Sequence, residues 1–352
     1  MKPDFWKHKR VLVTGHTGFA GTWLCKVLDM AGAHVAGYGL EPDTTPSFYH
    51  ICRMERKVKS NTGDIRNYDA LKETFEEFRP EIVFHLAFQP QVSEGYENPA
   101  YTFDVNAMGT VSVLECVRNC RGVKSVVIGS SDKAYYEHEQ AFSYPEGGEL
   151  KGKDPYSNSM SCAELAAYSY AETFFKNTDT ALGTLRCPEL IGGGDFARGR
   201  LIADCVRAAQ DKKEIEIKNP DVIRPYMHVL EAVNALMLLA MAQYKDKTLA
   251  GAYNAAPPDS GDYTASGLVN VFCETWRRYT NQRPVCSCAL AYTPMEPSFI
   301  KMDCSKIKRV LGFEEKWDIE KAMDKTVQWY VEYGKEKDVN MFMEKQIKEY
   351  FR

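Results

Sequence analysis

The hydrophobic pattern changes period along the chain. Short unbroken apolar runs, of the kind a strand buried on both faces presents, alternate with longer stretches whose apolar residues recur every three to four positions. The first run is Val11-Leu12-Val13, and a helical stretch follows at 23–28. Further strand-like runs occupy 33–40, 81–87 and 124–131, and another begins at 184–187. Helical patterns separate them at 71–78, 101–120 and 156–175. This alternation predicts an α/β fold: a doubly wound parallel sheet with helices on both faces. Right-handed crossovers then bring the C-terminal ends of the strands, and a ligand crevice, to one edge.

The second half reads differently. Helical patterns lie at 201–211, 226–244, 265–279, 301–311 and 319–333, with a short strand at 214–217 and turns at 192–195 and 257–261. A length of 352 residues has room for about two domains. We expect a cofactor-binding unit at 1–187. A smaller α/β portion at 188–352 would cap the crevice and hold substrate, with part of its chain returning to the sheet.

The segment Arg10–Leu24, RVLVTGHTGFAGTWL, organises the first unit. Three glycines, Gly15, Gly18 and Gly21, separate the apolar strand from the helix. Glycine lets the backbone turn sharply and approach an anion, and the following helix points its positive end at a pyrophosphate. The spacing is G-x-x-G-x-x-G, which in this strand–turn–helix context predicts a dinucleotide site in a Rossmann sheet. Glu41, at the end of the second strand, can hold the adenosine ribose hydroxyls and favours NAD. Asp64 and Ile65 end the next segment, where they can meet the adenine ring.

Composition changes the picture little. Hydrophobic residues are 44%, charged residues 26%, and the net charge is −4. No basic block suggests nucleic acid, and no apolar run or leader-like stretch suggests a membrane, so a cytoplasmic protein is expected. Eleven cysteines follow no zinc spacing, which predicts reduced thiols and no metal site. Candidate chemistry sits in Ser130-Ser131-Asp132-Lys133, at the end of a strand. A carboxyl beside an ammonium there can serve as acid and base; the same residues would also make a polar surface turn. Tyr156, in DPYSNSM, either carries protons or simply packs a helix start on the sheet.

Taken with EPDTTPSFYH, EIVFHLAFQP, FDVNAMGTVSVLE, IGGGD, IRPYMHVLE and MDCSKIKRVLGF, these segments resemble the extended short-chain dehydrogenases/reductases over essentially the whole chain. Within that family they are most similar to the CDP-glucose 4,6-dehydratases. The resemblance implies NAD held by Gly15, Thr17, Gly18, Phe19, Gly21, Glu41, Asp64 and Ile65. Ala87, Gln89, Tyr156 and Met160 complete that set. It implies catalysis by Ser131, Asp132, Lys133 and Tyr156. It places Glu189, Arg200, Arg224 and His228 against a nucleotide sugar, a CDP-hexose, makes Asn106 a structural or a sugar contact, and pairs the helices at 101–120 and 156–175 in a homodimer. The implied chemistry is C4 oxidation, loss of water across C5–C6, and hydride return to C6.

Four positions depart from the family pattern. Met160 stands where Y-x-x-x-K has lysine, Phe88 where an alanine is usual, Ser93 where a substrate-binding arginine belongs, and Glu189 where asparagine belongs. Without that lysine Tyr156 stays nearer its free value and mostly protonated at neutral pH. A dehydrogenase or epimerase that eliminates no water, or a paralogue that binds without turnover, would also accommodate these changes.

Overall fold

Alternate residues of each central strand serve opposite faces of one sheet. Val11, Val13, Phe84 and Val127 join the core on one side; Leu12, Val83, Val126 and Ile128 join the core on the other. A strand covered on both faces must be apolar at every position, which is why these runs lack polar alternation. The computed structural model describes residues 3–138, 143–257, 263–289 and 301–352. Its strands, in chain order, are β1 (Arg10–Thr14), β2 (His34–Gly39), β3 (Lys59–Thr62), β4 (Ile82–His85), β5 (Ser125–Ser131) and β6 (Ala181–Cys187). They continue with β7 (Glu189–Ile191), β8 (Ile215–Lys218), β9 (Tyr226–His228), β10 (Ala252–Asn254) and β11 (Cys286–Ala289).

The main sheet is seven-stranded and parallel, in the order β10-β6-β5-β4-β1-β2-β3. The direction of winding reverses between β1 and β4, so a crevice opens beyond their C-terminal ends. Past residue 187 the chain builds two small parallel sheets, β7–β9 and β8–β11. It also sends β10 and the helix Val229–Lys245 back onto β5 and β6.

Several elements differ from expectation. β3 reads Lys-Ser-Asn-Thr and is largely exposed, so no apolar run announces it. Residues 226–228 form β9 before the helix begins at Val229. The helix expected at 101–120 is Pro99–Phe103, a π-helical turn Asp104–Met108, then Gly109–Asn119. The stretch at 156–175 is the helix Pro155–Tyr170 closed by a π-helical turn, Ala171–Phe175. Of the turn expected at 257–261, residues 258–261 lie outside the described residues. All eleven cysteines are free thiols. No helix among the described residues is long and apolar enough to cross a membrane.

Candidate active site

The glycine loop makes one wall of a cavity of about 220 Å³ above β1, β2 and β4. Gly15 has φ +73°, and a Cβ there would come within 2.6 Å of the Leu86 carbonyl oxygen. A Cβ on Gly21 would lie 2.1 Å from the Gly15 carbonyl, so Gly21 lets the helix Phe19–Met30 sit tight on the loop instead of lining the cavity. Gly18 occupies the N-cap and offers no side-chain cap, so the first-turn amides stay available to an anion. Thr17, Gly18, Phe19, Glu41, Asp64, Ile65, Ala87 and Gln89 also line this space. Glu41 accepts a hydrogen bond from Thr62 Oγ1 at 2.7 Å, which orients its carboxylate at the end of β2. Hydrogen bonds from Arg66 hold the Asp64 carboxyl below the usual range. This cradle fits a dinucleotide: open backbone for a pyrophosphate, a carboxylate for the ribose, and buried Ile65 for a flat ring.

The polar cluster forms where β5 ends in a short 3₁₀ turn, Asp132–Ala134. The Ser131 hydroxyl donates to Asp132 Oδ1 at 3.1 Å. Burial lifts the Asp132 carboxyl to about 6, with Lys133 opposing the rise. Lys133 Nζ lies 3.3 Å from Glu189 Oε1, and Arg224 Nη1 lies 3.9 Å from the same oxygen. Against burial, which raises it, Lys133, Arg200 and Arg224 hold the Glu189 carboxyl down to about 2. Against burial, which lowers it, Glu189 keeps Lys133 above its ordinary value. Tyr156 reaches the same group of charges: burial raises its phenol, while Lys133 and a hydrogen bond with Ser131 pull it back. Arg200 stands just before the helix Leu201–Gln210, lines the cavity, and has Nε 3.7 Å from Asp195 Oδ2.

Met160 lies one helical turn beyond Tyr156 and is 2% exposed. It packs with Tyr156 and Ala134, and Phe88, Val92 and Leu150 close the cluster. Two departures from the family pattern, Met160 and Phe88, therefore meet in one apolar pocket.

The chain matches the NAD dependent epimerase/dehydratase family over residues 11–256. It belongs to that family. It is 36% identical to CDP-glucose 4,6-dehydratase of Salmonella typhimurium over 99% of this chain and 97% of that one. It is 23% identical to CDP-paratose 2-epimerase of Salmonella typhi over 91% of this chain and 98% of that one. Among solved structures, dTDP-glucose 4,6-dehydratase from Streptomyces venezuelae, with NAD and TYD bound, has a TM-score of 0.76 at 20% identity, covering 92% of this chain and 97% of that one. UDP-glucose 4-epimerase from Thermus thermophilus, in complex with NAD, has a TM-score of 0.78 at 22% identity, covering 91% and 98%. Membership of an NAD-dependent family and the dinucleotide-shaped cradle agree: the cofactor is NAD.

Some of the side chains expected at the site do not face this cavity. His228, expected against substrate, is fully buried between Trp23 and Trp317 and lines neither that cavity nor the one beyond Arg224. Its Nδ1 accepts from Leu230 N at 3.1 Å and caps the following helix, and burial pushes its imidazole down to about 3. Asn106, expected as a structural or a sugar contact, is fully buried and takes the structural part. Its Oδ1 accepts from Gln89 N at 2.8 Å and its Nδ2 donates to Ser159 Oγ at 2.9 Å, tying the end of β4 to the helix of Tyr156. The Gln89 amide is turned inward and donates to Thr102 Oγ1 at 2.8 Å. Met160 touches Tyr156 and not the cavity. Asp43, Tyr101, Asp195 and Phe196 line the cavity but were not assigned to it from sequence. Only Asp195 carried a signal, the IGGGD turn; the others lie in stretches with no periodicity pointing to a ligand.

Proposed function

We propose that this chain is an NAD-dependent 4,6-dehydratase of a nucleotide sugar, acting on CDP-glucose. The observation that carries this reading is the buried acid–base pair at the end of β5: Asp132, held near 6 and thus easily protonated, beside Lys133 and within the field of Tyr156. Epimerisation needs no acid to expel a hydroxyl; elimination needs an acid and a base on neighbouring carbons. NAD, when bound, supplies the hydride acceptor for C4 and the hydride returned to C6. Ser131 holds the C4 oxygen while Tyr156 takes the hydroxyl proton. Lys133 then takes the proton from C5, acidified by the new ketone, and Asp132 protonates the departing C6 hydroxyl. Arg200 and Arg224 supply guanidinium forks for the diphosphate.

Beyond Arg224 lies a second cavity of about 520 Å³, with Tyr226, Tyr263 and Trp317 alongside the carboxylates Glu315, Asp318 and Glu320. Aromatic faces suit a stacked base. Carboxylates accept from an exocyclic amino group, as on cytosine, and repel the carbonyl that uracil or thymine presents there. Exposed Met108, Leu165, Tyr168 and Phe174 lie along the helices Pro99–Asn119 and Pro155–Phe175. Large apolar side chains in that number on adjacent helices support isologous pairing with a second copy.

The Glu189–Lys133 ion pair favours a second reading, C4 chemistry without elimination, because it keeps the C5 base protonated. Mass spectrometry of CDP-glucose incubated with the protein and NAD separates the two. A product lighter by one water, lost in Asp132→Asn with sugar binding retained, is the expected result. A turnover product of unchanged mass overturns the dehydratase.

A further inference from the structure

A pair of thiols in the C-terminal portion lies apart from the crevice and has no part in the chemistry above. Cys273 is buried on the helix Ala265–Thr280, and Cys286 is half-buried at the start of β11. Their Sγ atoms are 3.2 Å apart. A shift of about 1 Å would bring them to the ~2.05 Å of an S–S bond. The two come from different elements, so contact is a product of the fold and not of sequence neighbourhood. The Arg283 guanidinium, held by Glu274 and Asn270, places positive charge beside both sulfurs and partly offsets the burial and the neighbouring Cys286 that push the Cys273 thiol up to about 12. The half-buried Cys286 is open to a small oxidant, and the buried Cys273 is placed to resolve it.

We propose that Cys273 and Cys286 are a redox modification site that closes to a reversible disulfide under peroxide. Cys286 thiolate attacks one peroxide oxygen, the O–O bond breaks, and sulfenic acid and water result. Cys273 then attacks the sulfenic sulfur, the S–S bond forms, and a second water leaves. Two thiols are oxidised and one peroxide is reduced to two waters. The bond staples β11 to the helix Ala265–Thr280. That helix packs on Leu201–Gln210, which begins just after Arg200, and on Ile319–Gly334, whose Tyr330 hydroxyl donates to the Asp195 carbonyl at 2.6 Å. Oxidation therefore stiffens the frame that carries one wall of the crevice.

The test uses the whole reduced protein, treated with hydrogen peroxide, alkylated, and digested without reductant. The expected result is a peptide pair linked through Cys273 and Cys286, two hydrogens lighter than its reduced parts and released by dithiothreitol. The thermal midpoint of the oxidised protein rises by roughly 3 °C or more and falls back on reduction. Cys288→Ser keeps the link. Cys273→Ser loses it and leaves Cys286 as a sulfenic acid that dimedone traps. The proposal is overturned if Cys273 stays free while Cys286 or Cys288 is oxidised alone, or if the link forms only in denaturant. None of these readouts requires nucleotide-sugar turnover, so failure here is separate from failure of the dehydratase.

Discussion

Met160 and Phe88 share the apolar cluster that buries Tyr156, where the family pattern has a lysine and an alanine. A lysine at 160 would put an ammonium among the apolar side chains Ala134, Phe88, Val92 and Leu150. Met160→Lys alone should cost about 1–3 kcal/mol of stability. Met160→Lys with Phe88→Ala makes room beside the crevice and should oxidise C4 at least tenfold faster than the unaltered protein at neutral pH, as read by transient reduced-nicotinamide absorbance. In the unaltered protein the Tyr156 phenol is raised by burial, so the phenolate fraction grows with pH. That transient should rise about tenfold per pH unit between about pH 7 and pH 9, and the double variant should flatten the slope. Asp132 carries the opposite lesson, in stability. Its folded value of about 6 lies above the ordinary 3.8, so the native state binds this proton more tightly than the unfolded chain. Stability is therefore lost as pH rises from about 4 to about 6, and a shift of about two units is worth roughly 3 kcal/mol. Asp132→Asn should be the more stable protein at pH 8 and lose that advantage below about pH 4, measured by urea unfolding.

At the scale of elements, the site depends on how two helices meet two strand ends. The π-helical turn Asp104–Met108 sets Asn106 facing the loop after β4 and Ser159. A wider turn of this kind re-aims one side chain without breaking the helix. On the helix of Tyr156, Glu164 accepts from Nε and Nη2 of Arg186, at 2.7 and 2.6 Å, and also from the Ser130 and Thr184 hydroxyls. Both members of this pair are about 3% exposed. Removing one leaves the other charged and dry, so Glu164→Gln should destabilise by about 3–5 kcal/mol, visible as a large drop in the unfolding midpoint. The sequence marks the helix and the strand, but nothing in it says that residues 164 and 186 share one space.

At the scale of the molecule, the crevice lies between the parallel sheet and the smaller sheets of the second half. Charges from both sides meet there: Asp132 and Lys133 from β5, Glu189 from β7, and Arg224 from the loop before β9. Tyr168 is 68% exposed and Leu165 is 53% exposed, on the same face of the helix Pro155–Tyr170. If that face pairs with a second copy, Leu165→Glu with Tyr168→Glu should convert a dimer to a monomer in sedimentation velocity while the fold, read by circular dichroism, is kept.

The apolar runs and the glycine triplet were enough to determine the doubly wound parallel sheet and the glycine-walled cavity at its edge, because burial on both faces and close approach to an anion leave few residue choices. SSDK stood out because polar groups at the end of a buried strand are costly unless they are used or solvated, and the structure brings Asp132, Lys133 and Tyr156 into one another's field. Tertiary structure alone decided the rest. It turned His228 and Asn106 inward as a helix cap and a loop clamp, since a buried polar atom takes whatever partner the packing offers. It brought Met160 and Phe88 into one apolar cluster, and Glu189 onto Lys133 and Arg224, from positions far apart in the chain. Residue spacing encodes periodicity within an element; distances between elements are set by packing, and the charges and thiols of this protein act across those distances.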